Sequence, residues 1–287
     1  MLSVPYENTT SAAHQRVSDL IASASLEIIP LKGADSKVAE AARGTTVTIT
    51  CSPRFGLERT LEHTAAARAR GYRVVPHLAA RMVEDEQALR RFTARIVDLG
   101  VDDLYVIGGD AAEPLGRFGS AGEVLDALSD FDHGLRRIGI GCYPEGHPKI
   151  SDAALLEALL DKQIHADYMV SQLCFDSAAL IRWIDEVRAR GVDLPLRVGL
   201  AAPIRIARLV ELSLKIGVGQ SLRYLTKQHG MAGGLLLGRS YAPEKLLLGM
   251  GERLVTDDLG IEGLHIFTFN QVDVTADWQR RVADTGV

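Results

Sequence analysis

The chain has 287 residues, 47% of them hydrophobic and 24% charged, an ordinary globular composition with enough material for a sizeable core. A net charge of −5 gives no broad electrostatic reason to expect nucleic acid or an anionic membrane as a partner. The three cysteines, Cys51, Cys142 and Cys174, lie far apart without C-x-x-C spacing, which points to a reducing compartment and away from a zinc knuckle.

Residues 1–24 lack the basic start and apolar run of a secretory signal, and no stretch approaches the roughly 18 apolar residues of a membrane span. The expectation is a cytoplasmic protein.

Residues 11–23 read as an opening helix. Strands are then predicted at 25–29, 45–51, 73–78, 102–107, 137–142, 167–172, 194–199 and 264–269. Helices are predicted after them, near 36–43, 57–70, 84–99, 119–130, 152–165, 177–190, 204–216 and 274–284. The helix at 84–99 has the clearest 3.6-residue pattern, with Leu89, Phe92, Ile96 and Leu99 on one face and acids at its start. Gly71, Gly100 and Gly191 each close a helix and open the next strand. Eight strand–helix units over this length predict a single (β/α)₈ barrel across 1–287, with an extra N-terminal helix. An open doubly wound sheet would need a Gly-rich fingerprint after the first strand, and residues 30–35 do not supply it. Between strands seven and eight, residues 217–258 are predicted to hold two further helices, at about 219–228 and 242–257.

In a barrel the chemistry sits where strands end and the following loops begin. Those ends offer Glu27, Thr50, His77, Asp110, Tyr143 with His147, Gln172 with Asp176, and Thr268 with Asn270. Glu27 lies between apolar neighbours on a strand covered on both sides, so it is expected to point into the lumen and to serve as a proton donor. Asp110 follows two glycines and is too far from the helix near Gly119 to cap it, which favours a site role over a structural one. If both acids reach one pocket they should behave as a coupled pair. The three cysteines fall at strand ends as well and read best as small packing residues. No Ser-His-Asp order, metal-ligand cluster or phosphate-binding loop is visible along the chain, and no metal is expected.

Leu26-Glu-Ile-Ile-Pro30, Val47-Thr-Ile-Thr50, Pro76-His-Leu78, Val106-Ile-Gly-Gly-Asp110, Tyr143-Pro-Glu-Gly-His-Pro148, Ser171-Gln-Leu-Cys-Phe-Asp176 and His265-Ile-Phe-Thr-Phe-Asn270 together resemble the 5,10-methylenetetrahydrofolate reductase family in order and spacing, from about residue 25 to 275. The resemblance implies a barrel, usually holding FAD, that uses NADH or NADPH to reduce methylenetetrahydrofolate to 5-methyltetrahydrofolate. By position it implies Glu27 as the general acid and Asp110 as the carboxylate that stabilises the cationic iminium. It implies Gln172, Asp110 and Thr268 at the folate, and Thr50, His77, Gly109, Asp110, Tyr143, His147 and Lys162 at the cofactor. The chain's end soon after strand eight suggests the catalytic domain alone, possible as a homo-oligomer.

The chain also departs from that family. Gly108 stands where an Arg is common, Cys51-Ser52 replaces an aromatic-Gly pair, and Ala153 to Leu155 occupy the region where an Asp is expected. The folate and acid positions are kept while several flavin contacts are lost. Two expectations follow: FAD held by substituted contacts, or hydride passed directly from the nicotinamide to folate. Other readings are a barrel reductase or methyltransferase acting on another one-carbon adduct, and a non-catalytic folate-binding subunit.

Overall fold

The computed structural model describes residues 6–215 and 240–286. Eight parallel strands close on themselves in chain order: β1 (Ser25–Ile28), β2 (Thr46–Ile49), β3 (Arg73–Ala79), β4 (Asp103–Ile107), β5 (Arg137–Cys142), β6 (Tyr168–Ser171), β7 (Leu196–Ala201) and β8 (Ile261–Phe267). Closure is made by β8 against β1, with Ser25 opposite His265 and Glu27 opposite Phe267. The expected (β/α)₈ barrel is therefore the observed one. Strand β8 begins three residues earlier than 264, at Ile261, because Leu196 pairs with Ile261 ahead of a register shift.

The outer ring is α1 (Tyr6–Ala22), α2 (Ala34–Val38), α3 (Gly56–Ala69), α4 (Glu86–Asp98), α5 (Ala121–Ser129), α6 (Asp152–Lys162), α7 (Ser177–Ala189), α8 (Ile206–Lys215), α9 (Glu244–Leu248), α10 (Glu252–Val255) and α11 (Val272–Thr285). Helix α4 shows how the pattern works: Leu89, Phe92 and Ile96 are buried, and Asp85 caps the N-terminus by accepting the Ala88 N–H at 2.7 Å. The three junction glycines end their helices in one way. After α7, for example, Val192 N–H reaches Val187 O at 3.0 Å and Gly191 N–H reaches Arg188 O at 3.0 Å, a Schellman closure that feeds the chain into the next strand.

The helix expected at 219–228 lies outside the described residues. The segment 242–257 is two short helices rather than one, because the chain turns at Gly249–Gly251. Gly249 sits so close to α7 that a Cβ there would lie 2.6 Å from Ser177 Oγ. Among the described residues, no helix is long and apolar enough to cross a membrane.

The lumen is filled in layers. Toward the N-terminal end, Tyr168 of β6 donates to Asp103 of β4 at 2.7 Å, and the Arg197 guanidinium of β7 lies 3.6 Å from the Tyr168 ring centroid. Arg197 and Arg137 both reach Glu262 of β8, at 2.6 and 3.0 Å. Two of these contacts, Tyr168 with Asp103 and Arg137 with Glu262, join strands that are not neighbours and so cross the interior. They plug the bottom of the barrel and leave the other end for the site.

Candidate active site

Above that plug the lumen carries Glu27, His77, Tyr105 and His265. His265 Nε2 stands 3.0 Å from Glu27 Oε2, and the two side chains are 2% and 12% exposed. The His77 ring meets Tyr105 edge-on at 4.6 Å and faces His265 at 6.0 Å. Strands β3 and β8 are not adjacent, so this last contact spans the interior. Burial, and after it the neighbouring His265, drives His77 well below the ordinary histidine value, so the ring is neutral. Burial likewise pushes Tyr105 well above the usual phenol range, with Tyr143, Cys142 and Glu27 adding to it.

The donor atoms of Glu27, His77 and His265 lie within 4.8 Å of one another. Residue spacing showed no such group, because its members come from the first, third and eighth strands. The 3.0 Å contact already satisfies Glu27 Oε2 as a hydrogen bond to His265.

The end of β1 is clasped to the end of β8. Thr268, fully buried, donates its hydroxyl to Glu27 O at 2.5 Å and accepts Asn270 N–H at 3.1 Å. Asn270 then pairs with both backbone groups of Ile29, at 2.9 Å each. Phe269 and Asn270 both have positive φ, at 50° and 61°, a strained turn that the clasp holds in place. The Thr268 hydroxyl, expected at the folate, is thus engaged in holding the strand that carries Glu27.

Asp110 stands higher, exposed at the mouth. Gly109 before it has φ 91° and a missing Cβ that would lie 2.9 Å from Ala79 Cβ, so only glycine lets β4 turn away here. Asp110 does not cap α5, whose N-cap is Ser120 in a capping box with Glu123. Arg81 holds the loop instead: its guanidinium donates to Ala111 O, Ala112 O and Gly119 O at 2.7, 2.6 and 3.2 Å. Arg81 was not among the residues singled out from sequence.

Glu27 and Asp110 occupy the same end of the barrel at different depths. The hydrogen-bonded partner of Glu27 is His265. Tyr105 lies near Glu27 and Tyr143, and Tyr143 lies near Asp110.

The loop after β5 brings Tyr143 and His147 together edge-on at 5.2 Å, and both sense Asp110. Burial and Lys149 hold His147 below its ordinary value, against the opposing pull of Asp110. Glu145, also unremarked in sequence, ties this loop to the next by accepting Phe175 N–H at 2.6 Å and Asp176 N–H at 3.0 Å. Gln172 commits one amide atom locally, its Oε1 accepting Leu173 N–H at 2.8 Å. Asp176, offered as a strand-end group, is the N-cap of α7 and accepts Ala179 N–H at 3.0 Å. All three cysteines are buried and free, consistent with packing; burial raises each thiol further from ionisation.

The fold and this constellation define a (β/α)₈ protein whose buried acid, imidazoles and rim carboxylate gather at the C-terminal mouth, the position of barrel active sites. Residues 35–226 match the family model for methylenetetrahydrofolate reductase. The chain belongs to the methylenetetrahydrofolate reductase family. It is 27% identical over 143 residues to methylenetetrahydrofolate reductase 2 of Saccharomyces cerevisiae, covering 46% of this chain and 22% of that protein. It is 34% identical over 65 residues to methylenetetrahydrofolate reductase 1 of Schizosaccharomyces pombe, covering 22% of this chain and 11% of that one. The matched stretch is thus well under two-thirds of either relative. Among solved structures, a putative lyase/mutase from Burkholderia cenocepacia is similar over 96% of this chain and 88% of that one, at 14% identity and a TM-score of 0.48.

Members of this family typically use FAD, so the seven positions that the resemblance assigns to it can be tested for fit. Asp110, Tyr143 and His147 gather at the mouth, with Gly109 shaping the turn. Thr50 follows β2, and its carbonyl accepts Thr60 Oγ1–H at 3.0 Å. His77 is sunk in the lumen under Tyr105, with 3% of its surface exposed. Lys162 points its ammonium at Gly141 O, 3.3 Å away, and burial lowers its pKa. Gly108 presents bare backbone with nothing within 4 Å of where a Cβ would be. Lys162 is engaged with the protein itself and Gly108 brings no cation, while His77 Nε2 is buried with no hydrogen-bond partner among the described residues, so the set makes an incomplete flavin cradle.

Proposed function

We propose that the protein reduces 5,10-methylenetetrahydrofolate to 5-methyltetrahydrofolate, taking hydride from NADH or NADPH bound beside the folate at the barrel mouth. Glu27 gives its proton to the leaving nitrogen as the five-membered ring opens. The C–N bond breaks, the methylene carbon stays on the other nitrogen as an iminium, and hydride from the dihydronicotinamide completes the methyl group. Asp110, exposed at the rim, offsets the positive charge of that iminium. Gln172, whose Oε1 is held by Leu173 N–H, offers its Nε2–H donors to a carbonyl edge of the pterin.

The observation that carries this reading is the placement of Glu27: a carboxyl group sunk in the lumen and held by an imidazole, in a member of this family. A folate-binding subunit without catalysis has no need of a buried proton donor there. The test is NAD(P)H oxidation dependent on methylenetetrahydrofolate, run alongside a visible absorbance scan of the purified protein. A colourless preparation that turns over supports the reading. A preparation that works only with bound flavin overturns the direct transfer, and one that does not turn over overturns the function.

Glu27→Gln should reduce turnover by roughly 100-fold or more, the usual share of a general acid, while folate still binds. Loss of binding together with turnover would point to a damaged fold instead.

A further inference from the structure

The contact between His265 Nε2 and Glu27 Oε2 joins two ionisable groups on adjacent strands, both nearly sealed from solvent. The surroundings of this pair come from every side of the lumen. His77 of β3 lies 6.0 Å away ring to ring, Tyr105 of β4 6.2 Å, and Phe267 of β8 4.9 Å. Tyr143 and Cys142 lie near Tyr105. Burial keeps His77 and both tyrosines in their neutral forms, so none of these walls offers Glu27 a compensating positive charge. Among the described residues, the side chain hydrogen-bonded to the Glu27 carboxyl is His265.

A proton donor leaves a carboxylate behind, and in a closed site that charge needs a fixed hydrogen-bond donor. We propose that His265 is the positioning residue for Glu27: its Nε2–H holds Oε2, fixes the carboxyl group, and stabilises the carboxylate left when the proton departs. This rests on the reading of Glu27 as the proton donor. In that arrangement Oε1 carries the proton, which passes to the folate nitrogen as its C–N bond breaks. Oε2 keeps its hydrogen bond throughout, and water restores the proton after product leaves. The tautomer follows: Nε2 of His265 carries hydrogen.

Two substitutions test the assignment. His265→Phe fills the ring space without an N–H, while His265→Gln returns a donor. For His265→Phe, kcat should fall by roughly 100-fold while 5-methyltetrahydrofolate binding, read by calorimetry, changes by less than about threefold. Loss of a hydrogen bond to the charged form makes the acid weaker, so the alkaline limb of the pH–rate profile should move to higher pH. His265→Gln should recover part of both effects. An unchanged kcat, or a fall equal at every pH and accompanied by lost folate binding, overturns the assignment. A wild-type protein with no folate-dependent NAD(P)H oxidation overturns the functional reading itself, and the assignment with it.

Discussion

Tyr168 of β6 lies flat against Gly139 of β5, so closely that a Cβ at position 139 would sit 2.3 Å from two atoms of its ring. The ring is held there by Arg197 on its face and by Asp103 at its hydroxyl. Gly139→Ala should therefore destabilise the protein by about 1–3 kcal/mol, the usual cost of overpacking. Thermal unfolding checks it, and pairing with Tyr168→Leu should relieve most of the loss. If Gly139→Ala melts like the wild type, the plug does not hold the lumen as described.

Arg81 spreads its guanidinium over three carbonyls of the loop that follows Asp110. A lysine has one point charge and cannot reproduce that fork. Arg81→Lys should leave the melting temperature nearly unchanged and lower kcat/KM by roughly 10- to 100-fold, through misplacement of the rim acid. A large drop in thermal stability with normal kinetics would mean the loop anchors the fold and not the site.

Asn270 carries two hydrogen bonds to Ile29 from a left-handed turn. Alanine would lose both bonds and tolerate that backbone poorly, for a loss of about 1–3 kcal/mol. Asn270→Gly keeps the backbone freedom, so it should melt above Asn270→Ala. The reverse order would remove backbone strain from the account. Both variants should lose turnover, since Glu27 sits on the strand they release.

His77 is neutral because burial, then His265, lowers its pKa well below 6.5. The unfolded chain takes up the proton more readily, so stability rises with pH through this window and is lost as pH falls from about 6.5 downward. His77→Leu removes the site, and its melting temperature should fall less than that of the wild type between about pH 7 and about pH 5. Parallel curves for the two proteins would show that the buried imidazole is not what acid attacks.

The order of strands and helices was readable in the chain because hydrophobic periodicity and helix caps are local. Leu89, Phe92 and Ile96 mark one face of α4 within a few residues of each other, and the glycine at each helix end is adjacent to the strand it opens. The site was readable in part, because a parallel barrel brings every strand's C-terminal end to one face. Glu27, Asp110, Tyr143 and His147 could be picked out by position alone. His265 lay inside a quoted motif yet drew no role, and Arg81 and Glu145 drew none. Their partners come from elsewhere in the ring or on a separate loop, and no spacing rule reports such pairs.

By itself, then, the sequence determined the eight-fold alternation, the mouth at which ionisable groups gather, and the family. Only the tertiary structure decided depth and partnership: Glu27 below and Asp110 above, His265 on the buried acid, His77 and Lys162 turned into the protein. The physical reason is that side-chain meetings across a lumen depend on strand tilt and stagger around the whole ring. Those follow from closing the barrel, and no single segment encodes them.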